Sequence, residues 1–244
     1  MSLLATLPSQ PSKRTTSPEG LIVCLYGPPG VGKTTTAASA KNSIILATEP
    51  GYKHLDGVFV QDIRYWDAPS EELASFGLLN NLKTLAKGQH DFKHIVIDTV
   101  DLAYDLCLQY ECAKHHVDYP SGKDNIWGKI TQEFKRVIRK VSMLGYGVLL
   151  ISHVRVTEEE TRVGPRQIIT PSLPPKAMQA VVNACDMVLY AHVIDTEEGP
   201  AHMMQCKPAP HITAKDRTGL LPDSLPLSWH ALIDAMGETI KGEK

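Results

Sequence analysis

Residues 27–34 read Gly-Pro-Pro-Gly-Val-Gly-Lys-Thr. They satisfy the spacing of glycine, any four residues, then Gly-Lys-Thr. The apolar run LIVCLYG at 21–27 precedes them, and a helix-forming stretch at 34–40 follows. A strand, a glycine loop and a helix in that order commit the chain to an α/β layout. The residue types have a common purpose. Glycines let backbone N–H groups close around a phosphate without Cβ obstruction. Gly27, Pro28, Pro29, Gly30, Val31 and Gly32 are therefore the expected cradle, with Lys33, Thr34 and Thr35 at its helix end. Lys33 places a point charge on the β- and γ-phosphates, and the Thr34 hydroxyl ligates Mg²⁺. The expected ligands are ATP and Mg²⁺.

The rest of the chain fits the same plan. Apolar strands are expected at 43–49, 58–63, 94–99 and 147–152, with helices at 71–87, 102–115, 126–144, 175–185 and 229–235. The segment 154–174 reads as a hairpin or a mobile loop. The runs 187–194 and 202–207 read as paired strands near a sheet edge. Alternating strands and helices imply a mostly parallel sheet sandwiched by helices, with antiparallel strands towards the carboxy-terminal edge. Residues 1–19 are rich in Ser, Thr and Pro and are expected to form a flexible arm. Its sizeable apolar residues are Leu3, Leu4 and Leu7.

A phosphate loop needs a metal-side acid on a neighbouring strand. HIVIDT at 94–99 supplies Asp98, which would hold Mg²⁺ through water, with Thr99 orienting it. Thr99 also occupies the place where some ATPases carry a catalytic glutamate. The acid at the end of the strand after the phosphate-loop helix, Glu49 in SIILATE, is then the expected general base. His153, at the end of the 147–152 strand, is the candidate sensor of the γ-phosphate.

Composition excludes other classes. The 43% hydrophobic and 21% charged content is that of a globular chain, and a net charge of −2 gives no global basic signal for nucleic acid. No apolar run reaches the roughly 18 residues of a membrane span. The amino terminus has no basic segment followed by an apolar one, so no secretory leader is expected. Five scattered cysteines suit a reducing cytoplasm. Cys107, Cys112, His115 and His116 lie close in sequence but do not make a four-ligand zinc set on one helix. Lys135, Arg136, Arg139 and Lys140 read as a solvated helix face.

The ordered set GPPGVGKTT, ATEPG, IVIDTVD and LLISHV resembles the RecA-like P-loop ATPase core. With KPAP and AKDRTGLLP added, the chain is similar to the small phage-encoded RecA-like proteins that act in single-strand annealing. The match covers roughly residues 21–227, and it implies a RecA-like ATPase domain over 20–244. By the same resemblance, two loops bind single-stranded DNA: one carries Arg155, Arg162 and Arg166, the other Lys123 and Tyr119. Three glutamates among residues 158–160 oppose that assignment. The resemblance also implies that Lys215 and Arg217 complete the ATP site of a neighbouring subunit, making the protein a homo-oligomer. DNA-stimulated ATPase activity in a bacterial host cytoplasm follows, with a single-strand-binding protein as a further partner. The alternatives are a P-loop kinase of a small phosphate acceptor and an ATP-switched assembly factor for a helicase or single-strand-binding protein.

Overall fold

The computed structural model describes residues 10–11, 18, 20–121, 125–161 and 164–242. Of the expected arm, only residues 10, 11 and 18 fall within that set. The chain runs β1 (Ile22–Gly27), α1 (Lys33–Ala38), β2 (Ser43–Ala47), β3 (Phe59–Asp62), α2 (Leu78–Leu85), β4 (His94–Asp98), α3 (Val100–Lys114), α4 (Ile126–Ser142) and β5 (Gly147–Thr161). It continues with β6 (Gly164–Pro171), α5 (Pro175–Ala184), β7 (Met187–Thr196), β8 (Gly199–Gln205), β9 (Lys215–Asp216), β10 (Ser224–Pro226) and α6 (Trp229–Gly242).

These strands form one sheet in the order β10-β8-β7-β1-β5-β4-β2-β3. The six strands from β7 to β3 are parallel. Antiparallel pairing enters where β8 joins β7 and β10 joins β8. The fold is thus the expected mostly parallel sheet with an antiparallel carboxy-terminal edge.

Strand alternation sets the two layers. Ile22, Cys24 and Tyr26 of β1 face a core built with Val100, Tyr104, Ile130, Phe134, Val137 and Val181. Val23 and Leu25 face the opposite core with Ala37, Trp229, Leu232 and Met236. Helices α2 to α5 therefore cover one face, and α1 and α6 the other. Both faces of β1 are buried throughout, which is why its sequence is an unbroken apolar run rather than an alternating one.

Two expectations need correction. Residues 71–87 are not one helix. A 3-10 turn at Ala74–Phe76 ends at Gly77, and α2 starts after it. Tyr65 competes for that backbone: its N–H donates to the Phe76 carbonyl at 3.1 Å, and its carbonyl accepts from Leu78 N–H at 2.9 Å. The tertiary pairing extends Gly77 and overrides the helical spacing. The second correction is β5, which continues beyond the expected Ser152 end to Thr161. It pairs with β6 from Val154–Pro171 to Thr161–Gly164, so the polar segment is a two-stranded hairpin.

Gly27 closes β1 where no side chain fits. A Cβ there would meet the Ala191 carbonyl oxygen at 2.3 Å. Gly27→Ala is expected to cost about 2–3 kcal/mol of unfolding free energy, read by denaturant titration, because β7 is held between β1 and β8. A wild-type midpoint would show that β7 yields freely.

Candidate active site

Parallel strands deliver their carboxyl ends to one edge of the sheet, where ligands of open α/β folds bind. Gly27 pairs with His153, Ile151 with Asp98, and Asp98 with Ala47. The phosphate loop, Asp98, Glu49 and His153 thus converge from four adjacent strands, although they are spread over 127 positions from 27 to 153. A cleft of about 530 Å³ lies between them, lined by Pro29, Gly30, Lys33, Thr34, Glu49 and Asp98, with Gly32, Thr35, Pro50, Gly51, His54 and His153 completing it.

The loop has the form its glycines require. Gly30 and Gly32 take φ of 74° and 107°, a region that disfavours any side chain. Lys33 folds back over the loop, and its ammonium donates to the Gly27 and Pro28 carbonyls at 3.0 and 2.8 Å. Burial lowers its pKa, against the opposing fields of Asp98, Glu49 and Asp101. Val31 is buried and its carbonyl contacts His202 Nδ1 at 2.8 Å, so β8 braces the loop from the side.

Asp98 sits at the far wall. The Thr34 hydroxyl donates to its Oδ2 at 2.8 Å, and its Oδ1 is buried with no hydrogen-bond partner. A carboxylate oxygen left free beside a threonine hydroxyl and the phosphate loop is a donor set for a hard cation and its water shell. Thr34 and Asp98 therefore fit Mg²⁺. The pKa of Asp98 is pushed up to about 6, first by burial and then by Glu49, while the Thr34 hydrogen bond, Lys33 and His153 oppose the rise.

That shift gives a signed prediction. A carboxyl group whose folded pKa lies above its unfolded value contributes stability below pH 4 and loses it as pH rises through about 6. At pH 7.5 the ionised Asp98 burdens the nucleotide-free fold. Asp98→Asn is expected to raise its unfolding free energy by ~1–3 kcal/mol and to abolish the extra stabilisation from Mg²⁺ with ATP. A less stable nucleotide-free variant would contradict this account of Asp98.

Glu49 lies two residues beyond β2, and Thr48 fixes its backbone. The Thr48 hydroxyl accepts Thr99 N–H at 2.7 Å and donates to the Thr99 carbonyl at 3.1 Å. The Asp98–Thr99 peptide that it grips is cis. His153 follows Ser152 on β5. Its Nε2 lies 3.7 Å from Glu49 Oε1, and its Nδ1 lies 2.7 Å from Asp101 Oδ2. Sequence reasoning passed over Thr48 and Asp101.

The family can be placed on this geometry. The model of a family described as AAA domain matches residues 19–218, most of the chain. The chain belongs to that AAA domain family. This AAA domain is also 25% identical over 177 residues to the SPbeta prophage-derived uncharacterized protein YorG of Bacillus subtilis (strain 168). That match takes in 70% of the chain and 50% of the relative, so the chain spans about half the relative's length. A solved structure, the KaiC-like protein PH0186 from the archaeon Pyrococcus horikoshii OT3, aligns with a TM-score of 0.42 at 13% identity, over 76% of this chain and 77% of that one.

Other expected site residues of the AAA domain lie elsewhere. Lys215 donates to the Val182 and Cys185 carbonyls at 2.7 Å each, capping the end of α5. Arg217 pairs with Asp186 at 3.0 Å and with the Asn183 carbonyl at 3.1 Å. Both sit by Met187, at the amino end of β7, whereas the phosphate loop leaves the carboxyl end of β1. Neither serves the cleft of its own chain. Arg155 and Arg166 are exposed on the β5–β6 hairpin, outside the cleft, and Arg166 stands opposite Glu159. Lys123 and Arg162 lie outside the described residues. Among the described residues, no group of three or more His, Cys, Asp or Glu side chains is disposed to hold a metal ion. Cys107 and Cys112 are buried in the core instead, and Glu111 takes up His115 at 3.4 Å. No described helix is long and apolar enough to cross a membrane.

Proposed function

We propose that the cleft hydrolyses ATP, and that turnover controls binding and annealing of single-stranded DNA by a phage-type RecA-like protein. The observation that carries the catalytic half is the convergence of Lys33, Thr34, Asp98, Glu49 and His153 on one cleft. Lys33 and the loop amides hold the β- and γ-phosphates. Thr34, and Asp98 through water, would hold Mg²⁺, which would supply neutralising charge at the phosphate oxygens. Glu49 orients a water and accepts its proton as the water oxygen bonds the γ-phosphorus. The bond from that phosphorus to the bridging oxygen breaks, and the oxygen leaves with ADP.

The described cleft lining includes no arginine. A kinase lid would need one, and the arginines at 155 and 166 are held out on the hairpin. This favours hydrolysis over transfer to a small acceptor. It also leaves room for a neighbour's Lys215 or Arg217, as the homo-oligomer reading requires. In that reading, Arg217→Ala protein mixed with Glu49→Gln protein forms some intact shared sites.

The DNA half rests on two surfaces. The hairpin grows directly from His153, so a change at the phosphate is one residue from its root. Tyr119, in the loop before α4, and Trp127, in the first turn of α4, form an exposed edge-to-face pair with ring centroids 5.6 Å apart. Exposed rings beside cationic side chains stack bases, each worth ~1–3 kcal/mol. The joint change Tyr119→Ala and Trp127→Ala is expected to weaken binding of a labelled oligothymidine by at least about 30-fold in an anisotropy titration with ATP present. Unchanged affinity would remove these rings from the DNA surface. The prophage origin of the YorG relative supports the phage setting.

A further inference from the structure

Asp101 is absorbed by none of the roles above, and its geometry is specific. It lies in the first turn of α3, where the helix field favours a carboxylate, and its side chain is 12% exposed. It grips one residue twice. Its Oδ1 accepts the backbone N–H of His153 at 3.2 Å, and its Oδ2 lies 2.7 Å from that residue's ring Nδ1.

The chemistry of the second contact fixes the ring. An ionised carboxylate can only accept, so the hydrogen resides on Nδ1. Nε2 then points the other way, into the cleft, 3.7 Å from Glu49 Oε1. That separation is longer than a hydrogen bond, so both atoms, as acceptors, remain available to the O–H groups of an attacking water. The charged groups around the ring are Asp101 from α3, Glu49 from beyond β2 and Asp98 from β4, with Lys33 facing these carboxylates.

The same residue also closes the hairpin. The His153 carbonyl accepts Ser172 N–H at 2.9 Å, and the Ser152 hydroxyl receives that N–H at 3.2 Å. One side of His153 therefore meets the cleft, and its carbonyl holds the returning strand. Asp101 fixes the ring and the backbone N–H of this residue.

We propose that Asp101 is a positioning residue: it holds His153 as the Nδ1–H tautomer, aims Nε2 at Glu49 and the phosphate cleft, and ties that ring to the root of the β5–β6 hairpin. This rests on the reading of the cleft as a hydrolytic site, and it adds to that reading a residue that acts only through another.

The test combines a spectroscopic measurement with a kinetic one. Protein with ¹⁵N-labelled histidine, assigned by comparison with His153→Ala, reports the tautomer by long-range ¹H–¹⁵N correlation. Wild type is expected to show Nδ1–H at His153. Asp101→Ala is expected to release the ring to a mixture dominated by Nε2–H. Asp101→Asn, which keeps an acceptor oxygen and a polar first turn, is expected to fall between them. For ATP hydrolysis, Asp101→Ala should lower kcat about 10²-fold with KM within about 3-fold, the cost of a misaimed catalytic group. In a His153→Ala background the same change should cost almost nothing more, because Asp101 acts through His153. An unchanged tautomer in both Asp101 variants would overturn the proposal, as would an undiminished kcat loss in the His153→Ala background. If wild type shows no ATP turnover, the hydrolysis reading falls, and the tautomer measurement still decides the positioning role.

Discussion

Lys33→Ala is expected to reduce ATP turnover by at least about 10³-fold and to weaken ATP binding with it. Lys33 is the cation of the loop that lines the cleft, and its ammonium already sits within 3.0 Å of the loop carbonyls. Stabilisation of developing charge by a fixed donor in a dry site is worth 10²–10³ per donor, and a full charge on the transferred group supplies more. The variant should still fold. Burial depresses the Lys33 pKa, so the folded state gains little from this charge. Equal or higher denaturant midpoints are therefore expected alongside the lost activity. Unchanged hydrolysis would remove the phosphate loop from the mechanism.

Glu49→Gln is expected to keep ATP affinity within a few-fold while turnover falls about 10²–10⁴-fold, the usual contribution of a positioned general base. The substitution preserves shape and hydrogen bonding but cannot accept a proton. Thr48 continues to hold the backbone through Thr99, so the glutamine side chain starts from the same place. Equilibrium binding and single-turnover hydrolysis separate the two effects. A wild-type rate with normal binding would show that another group takes the proton. His153 is the nearest candidate, at 3.7 Å from the Glu49 carboxylate.

Much of the fold is legible from local signals. Strands β1, β2 and β4 and the 147–152 part of β5 are buried on both faces, apart from a half-buried Ile44, and are written as largely apolar runs. The phosphate loop is legible because each of its positions answers a backbone or charge requirement. What the sequence hides is tertiary. Leucine spacing over 71–87 suits a helix, but the pairing of Tyr65 with the chain at 76–78 breaks it at Gly77. The two-residue strand β9 exists only because β7 offers it an edge. Lys215 and Arg217 look like free cations in sequence, yet the carbonyls at the end of α5 and Asp186 engage them. Asp101 is hidden for the same reason: its partner is 52 positions away. In these cases a side chain's role is set by a partner brought close by the sheet order rather than by its sequence neighbours.

The most direct test of the central claim is the rate of ATP hydrolysis at low salt, with and without single-stranded DNA, using Lys33→Ala protein as the blank. The account predicts measurable Mg²⁺-dependent turnover that single strands raise and duplex does not. A rate indifferent to DNA, or no turnover above the blank, would contradict it.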